Sequence, residues 1–146
     1  MSDIKQKRAE RLIAFRKLQR DKASQEVHNA QAAKESAENA VRSQEDLIES
    51  EAERAQADRS PSSALDMQLS LALVDALRID LQSKYQLLKN AEKNLGEKSK
   101  ALLLTHQKVQ QMEALKKSAK LAAEKETRQK EQAEIDDLAN SREARH

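Results

Sequence analysis

The sequence predicts an all-α protein, a long antiparallel two-helix coiled-coil hairpin, and three observations predict it. The 146 residues include one Gly, one Pro and no Cys or Trp, and Phe15 and Tyr85 are the only aromatics. Charged residues make up 36% of the chain, against about 25% in ordinary globular domains. Large apolar residues recur every seven positions from Met67 to Val109. These features leave too few turn residues for a β fold or an α/β enzyme, and too little bulk for a three-dimensional core. Helix packed on helix remains.

The first helix is expected over residues 3–57, a stretch without Gly or Pro and rich in Ala, Glu, Gln, Lys and Arg, the strong helix formers. The corner is expected at residues 58–63, Asp58-Arg59-Ser60-Pro61-Ser62-Ser63, the one turn-like cluster in the chain. Pro61 suits a first helical position after a Ser60 cap, and Ser63-Ala64-Leu65-Asp66 resembles a capping box with Asp in place of Glu. A second helix follows from about 62 to about 140, and a charged tail over 141–146. Gly96 is its weak point, at roughly 1 kcal/mol. The whole is expected to be one coiled-coil rod over residues 1–146.

The second helix carries the stronger seam. Met67, Val74, Leu81, Leu88, Leu95, Leu102 and Val109 repeat every seven residues, accompanied three residues on by Ser70, Leu77, Lys84, Ala91, Lys98, Thr105 and Met112. A sustained seven-residue apolar period keeps one stripe aligned with a partner helix, which means a left-handed coiled coil. The first helix has a weaker version in Ile13, Arg20, Val27, Lys34, Val41, Ile48 and Ala55, with Ala23, Ala30 and Ala37 beside them. Small residues there permit close approach but bury little. A basic-zipper reading fails, because residues 49–66, directly before the leucines, are acidic and interrupted by Pro61. A self-associating long coil is the competing architecture, and the serine–proline corner favours the hairpin.

Charge is unevenly distributed although the net is only +2. Residues 5–22 hold eight Lys/Arg against Glu10 and Asp21, and residues 116–130 hold six against Glu124 and Glu126. In a hairpin both segments lie at the free end. Residues 35–58 hold eight acids against Arg42 and Arg54. Some large apolar residues also leave the seam. With Met67 as the first heptad position, Leu69, Leu71, Ile79, Leu103 and Leu104 fall where a two-stranded coil has no use for them, as do Leu12, Phe15 and Leu18 in the first helix. They fit either protein-binding patches or burial in a self-associated bundle.

Bond chemistry is not expected. His28, His106 and His146 are far apart, and there is no glycine-rich phosphate loop, G-x-S-x-G elbow or H-E-x-x-H. Asp136 and Asp137 sit on a helix with no walls to enclose acid–base chemistry. No cofactor or metal is implied. The basic residues lack interleaved aromatics for stacking bases, so nucleic acid is not an expected partner. The N-terminus leads into no apolar run, and no stretch approaches a membrane span, so neither a secretory signal nor direct membrane insertion is expected.

Length and layout together resemble a known family. A basic first helix containing Arg11-Leu12-Ile13-Ala14-Phe15-Arg16-Lys17-Leu18, a polar corner and a longer second helix are similar to the stalk proteins of bacterial type III export, the flagellar FliJ and virulence-system YscO and HrpO types. The closing run Glu131-Gln132-Ala133-Glu134-Ile135-Asp136-Asp137 is similar to the E-Q-x-x-x-D-E ending common there, with Asp137 where Glu is usual. The resemblance implies a non-enzymatic hairpin similar to the central shaft of rotary ATPases. It implies partners too: the hexameric type III export ATPase, the cytoplasmic domain of the export-gate membrane protein and, for some members, export chaperones. The implied location is the bacterial cytoplasm, peripheral at the cytoplasmic face of the export apparatus. Lys5, Lys7, Arg8, Arg11, Phe15, Lys116, Lys117 and Lys120 are then the candidate ATPase-binding residues, and Leu69, Leu71 and Ile79 the candidate gate or chaperone contacts. The candidate coil seam is Met67, Val74, Leu77, Leu81, Leu88, Leu95, Leu102 and Val109 against Val27, Val41 and Ile48.

A fully buried large side chain contributes about 1.5–3 kcal/mol, and so thin a seam carries few of them. The expected outcome of thermal unfolding, followed by circular dichroism, is a broad transition below about 80 °C.

Overall fold

A computed structural model describes residues 2–57 and 64–144, and these residues are helical throughout. The first helix, α1, is Ser2–Ala57 and the second, α2, is Ala64–Ala144. The corner expected at 58–63, with its Ser60, Pro61 and Ser63 caps, lies outside the described residues. Residues 141–144, expected in a tail, continue α2, with Arg142 placed favourably in its last turn. Asp3 and Asp66 occupy the first turns of α1 and α2, again on the favourable side of the helix dipole.

Local pairs reinforce both helices. Gln25 Nε2 donates to Asn29 Oδ1 at 3.1 Å, and Gln86 Nε2 donates to Asn90 Oδ1 at the same distance. Lys34 with Glu38, Asp80 with Lys84 and Glu126 with Lys130 form ion pairs one turn apart. Such pairs add about 0.2–0.5 kcal/mol each. Gly96 interrupts nothing: an added Cβ there would meet no atom within 4 Å, so its cost is one of propensity alone.

The two helices pack against each other as an antiparallel helical hairpin. The chain divides into two compact units, each built from a segment of both helices. In the unit Asp21–Leu103, Ala23, Ala30, Val41 and Gln44 of α1 and Val74 of α2 are buried. Along α2, positions 70, 74, 77, 81, 84, 88, 91, 95, 98 and 102 are all less exposed than their neighbours. That alternation of four and three residues is the contact pattern of a two-stranded coil. Val27, Ile48, Leu77, Leu81, Leu88, Leu95 and Leu102 are half-buried there. Glu26 pairs with Lys98 at 3.6 Å, whereas Gln44, later in α1, meets Lys84, earlier in α2. The segments therefore run antiparallel.

The unit Met1–Arg20 with Leu104–His146 is held by Ile13 and by Val109, which is 1% exposed. Lys17 pairs with Glu113 at 3.1 Å and Glu10 with Lys116 at 4.0 Å, which again sets the segments antiparallel. Burial stops at Met112, and every described residue of α2 beyond it is exposed. The sequence explains this, since the next positions of the four-three pattern are Lys116, Ala119, Ala123 and Glu126, none of which is large and apolar.

One expected seam member is corrected. Met67 is 52% exposed. It lies with Glu51, Arg54 and Ala55 of α1 around a shallow cleft, and the Ala55 methyl is too small to cover it. Conversely, Gln44 is an unforeseen buried member. It sits seven residues after Ala37, in the alanine row Ala23, Ala30, Ala37, and is only 5% exposed. Its Nε2 donates to the Leu77 carbonyl at 2.9 Å, and its Oε1 accepts from Lys84 Nζ at 2.9 Å. Both polar ends of a buried amide are thereby satisfied. Lys84 also reaches Asp80 at 3.3 Å.

Replacing Gln44 with Ala leaves the Leu77 carbonyl and the Lys84 ammonium, both half-buried, without that partner. The expected cost is about 1–3 kcal/mol, read as a lower midpoint in urea unfolding. A midpoint unchanged from the natural chain would show that this polar layer contributes nothing.

Candidate protein-binding surface

With the inner stripe occupied, functional side chains must sit on outward faces. In the unit Met1–Arg20 with Leu104–His146, Lys5, Lys7, Arg8, Arg11, Phe15, Lys116, Lys117 and Lys120 are all exposed. The structure brings only some of them together. Lys5, Lys116 and Lys120 line an open groove floored by Ala9, Ala119 and Ala123, with Arg128 farther along and Glu10, Glu124 and Glu131 on its walls. Alanines where the four-three pattern would want leucine leave this space unfilled. Acids and bases nearly balance there, so the groove itself is not a strongly positive site.

The concentrated positive charge lies on the outer face of α1. Counting outward from the buried Ile13, the opposite face carries Ile4, Lys7, Arg8, Arg11, Ala14, Phe15 and Leu18, with no acid among them. Phe15 is 52% and Leu18 66% exposed. Apolar side chains between guanidinium and ammonium groups form a surface suited to an acidic, partly apolar partner. Ile4 is a member that sequence reasoning missed. Its signal is the same four-three spacing, read from Leu18 back through Phe15, Arg11 and Arg8.

In the unit Asp21–Leu103, Leu69, Leu71 and Ile79 are exposed, Ile79 to 70%. They do not form one cluster. Leu69 and Ile79 share the outer face of α2 with Leu65, Ala72 and Ala76, again at four-three spacing, whereas Leu71 lies to the side. Leu69 also borders the cleft around Met67. Leu65 completes this outer stripe and was not anticipated, because it stands next to the turn-like residues. The stripe ends after Ile79, where Ser83 and Gln86 take its positions.

Among the described residues no group of His, Asp and Glu is placed to hold a metal. His28 and His106 are exposed, and His146 lies outside the described residues. Among the described residues no helix is long and apolar enough to cross a membrane. The ionisation of Tyr85 is perturbed. Its hydroxyl donates a hydrogen bond to Glu45 Oε1, which raises its pKa above the ordinary 10.0; partial desolvation and the carboxylate charge push the same way.

A family model described as Flagellar FliJ protein matches residues 6–146 of the chain. No curated protein and no solved structure matches it.

Tyr85 is the only tyrosine in the chain, so its ionisation can be followed by phenolate absorbance. The neutral phenol is favoured in the folded state, so its contribution to stability is complete below pH 10.0 and is lost as pH rises through the higher folded pKa. The expected titration midpoint lies above 10.0, and Glu45→Gln is expected to bring it down. An identical midpoint in both proteins would remove the Glu45 contact.

Proposed function

Since the chain belongs to the flagellar FliJ protein family, a component of flagellar and type III export, we propose that it acts as a stalk that performs no bond chemistry. In this reading it binds the hexameric export ATPase, promotes its assembly and activity, and links it to the cytoplasmic domain of the export gate. Export chaperones are further partners that the family resemblance suggests. The chain works as a bacterial cytoplasmic protein, peripheral at the cytoplasmic face of the export apparatus.

The observation that carries the reading is the basic, apolar-studded outer face of α1. Lys7, Arg8, Arg11 and Phe15 are exposed there, and the nearby Glu10 turns toward Lys116, so their charge is available to a partner. Lys5, Lys116 and Lys120 add positive charge at the groove, and Lys117 adds it on the outward side of α2. An ATPase ring presenting acids toward its axis would be attracted to this surface over a Debye length of about 8–10 Å. The gate contact is assigned to Leu69, Leu71 and Ile79, each more than half exposed. Such a protein acts by binding one arrangement of the ring more tightly than others, which shifts the equilibrium toward that arrangement.

Adding the protein to a purified type III export ATPase is expected to raise both its hydrolysis rate and the fraction of hexamer. Reversing charge at Arg8, Arg11 and Lys117 together should weaken ring binding about tenfold or more at low salt, and less at high salt. Stimulation that survives this triple reversal would rule out the assigned surface, and no effect of the natural protein would rule out the ATPase as partner.

A further inference from the structure

Each helix of the hairpin carries a second stripe on the face away from its partner, and the two stripes are complementary. On α1 the stripe runs from Ile4 to Leu18, through Arg8, Arg11 and Phe15. On α2 it runs from Leu65 to Ile79, through Leu69, Ala72 and Ala76. Both span fifteen residues, about 21 Å of helix. Both keep the four-three spacing that packs one helix along another. Their large members, Ile4, Phe15, Leu18, Leu65, Leu69 and Ile79, are each more than half exposed.

The charges differ in balance. The α1 stripe is flanked by Lys7 and contains Arg8 and Arg11, with Asp3 beside its first residue and Glu10 to the side. The α2 stripe includes Asp75 on its border, with Asp66 at its start and Asp80 near its end. Around it, residues 44–57 and 64–80 hold eight acids against Arg54 and Arg78. All of these lie in the unit Asp21–Leu103. An apolar stripe bordered by acids selects a helix whose apolar residues alternate with bases. The α1 stripe has that composition and the same length.

We propose that the outer stripe of α2 docks the outer stripe of α1 of a second copy of this chain, seating Ile4, Phe15 and Leu18 along Leu65, Leu69 and Ile79 with Arg8 and Arg11 toward Asp66 and Asp75. The contact joins unlike surfaces, and every copy carries one of each, so it either closes between two chains or propagates along several. Small Ala72 and Ala76 in the middle of the α2 stripe leave room for the large Phe15. The bases face acids that the hairpin leaves at its surface, so the attraction weakens with salt.

This association needs no other protein, and it covers Arg8, Arg11, Leu69 and Ile79, the residues assigned above to the ATPase and the gate. If that assignment holds, self-association and partner binding compete. The association itself is tested on the pure chain, so its failure leaves the export reading in place.

The experiment is mass by analytical ultracentrifugation across a concentration series, with circular dichroism to check that each variant remains helical. The natural chain is expected to gain mass with concentration at low salt and to lose it at about 0.5 M salt. Arg8→Glu with Arg11→Glu, and separately Asp66→Lys with Asp75→Lys, should each weaken association about tenfold or more. A chain carrying all four reversals should associate again, because the stripes are then complementary in the opposite sense. Ile79→Glu should abolish association without altering helicity. A monomer mass at every concentration up to about 0.5 mM would overturn the proposal. So would association that these substitutions leave unchanged, or a fourfold reversal that fails to restore it.

Discussion

The fold depends on one contact, the inner stripe where α1 lies along α2. Positions four and three residues apart on each helix face the other, and almost every shielded side chain in the structure belongs to that set. A chain with two aromatics and one glycine has no second way to remove apolar surface from water. The character of the stripe therefore governs the rest. It is narrow and alanine-rich on α1. It also has polar members, including Gln44 and Lys84, whose bonds to each other and to the Leu77 carbonyl supply a directional element among non-directional contacts. Polar residues at such positions favour one register and orientation over others.

The same narrowness leaves the outward faces free. Exposed leucines and isoleucines on a helix otherwise rich in Lys and Glu are a cost in solubility unless something covers them. The basic outer face of α1 and the apolar outer face at the start of α2 cover residues 4–18 and 65–79, whereas the inner stripe of α2 runs from 70 to 112.

Ion pairs between the helices, such as Lys17 with Glu113 and Glu26 with Lys98, are half exposed and each contributes at most about 1 kcal/mol. They fix the direction of pairing more than its strength. The groove floored by Ala9, Ala119 and Ala123 shows where the apolar stripe runs out, and beyond it α2 carries on exposed. A helix that continues without tertiary cover relies on propensity and local pairs such as Lys130 with Glu126.

By itself the sequence determined that this chain is helical, that it has two helices, and that they pair. Those properties follow from composition, the position of the lone proline and the seven-residue period, all of which are local or periodic and need no partner to be read. The two candidate surfaces were legible only in outline, as a basic start to α1 and as leucines out of register in α2. Tertiary structure decided the remainder, because burial depends on what stands opposite. Met67 keeps the period yet stays exposed, since Ala55 cannot cover it. Gln44 does not look apolar yet is buried, because the Leu77 carbonyl and Lys84 happen to face it. Tyr85 meets Glu45, forty residues away in sequence, through the antiparallel register alone. A period fixes which side of a helix turns inward; only the partner's residues fix how well each position on that side is covered.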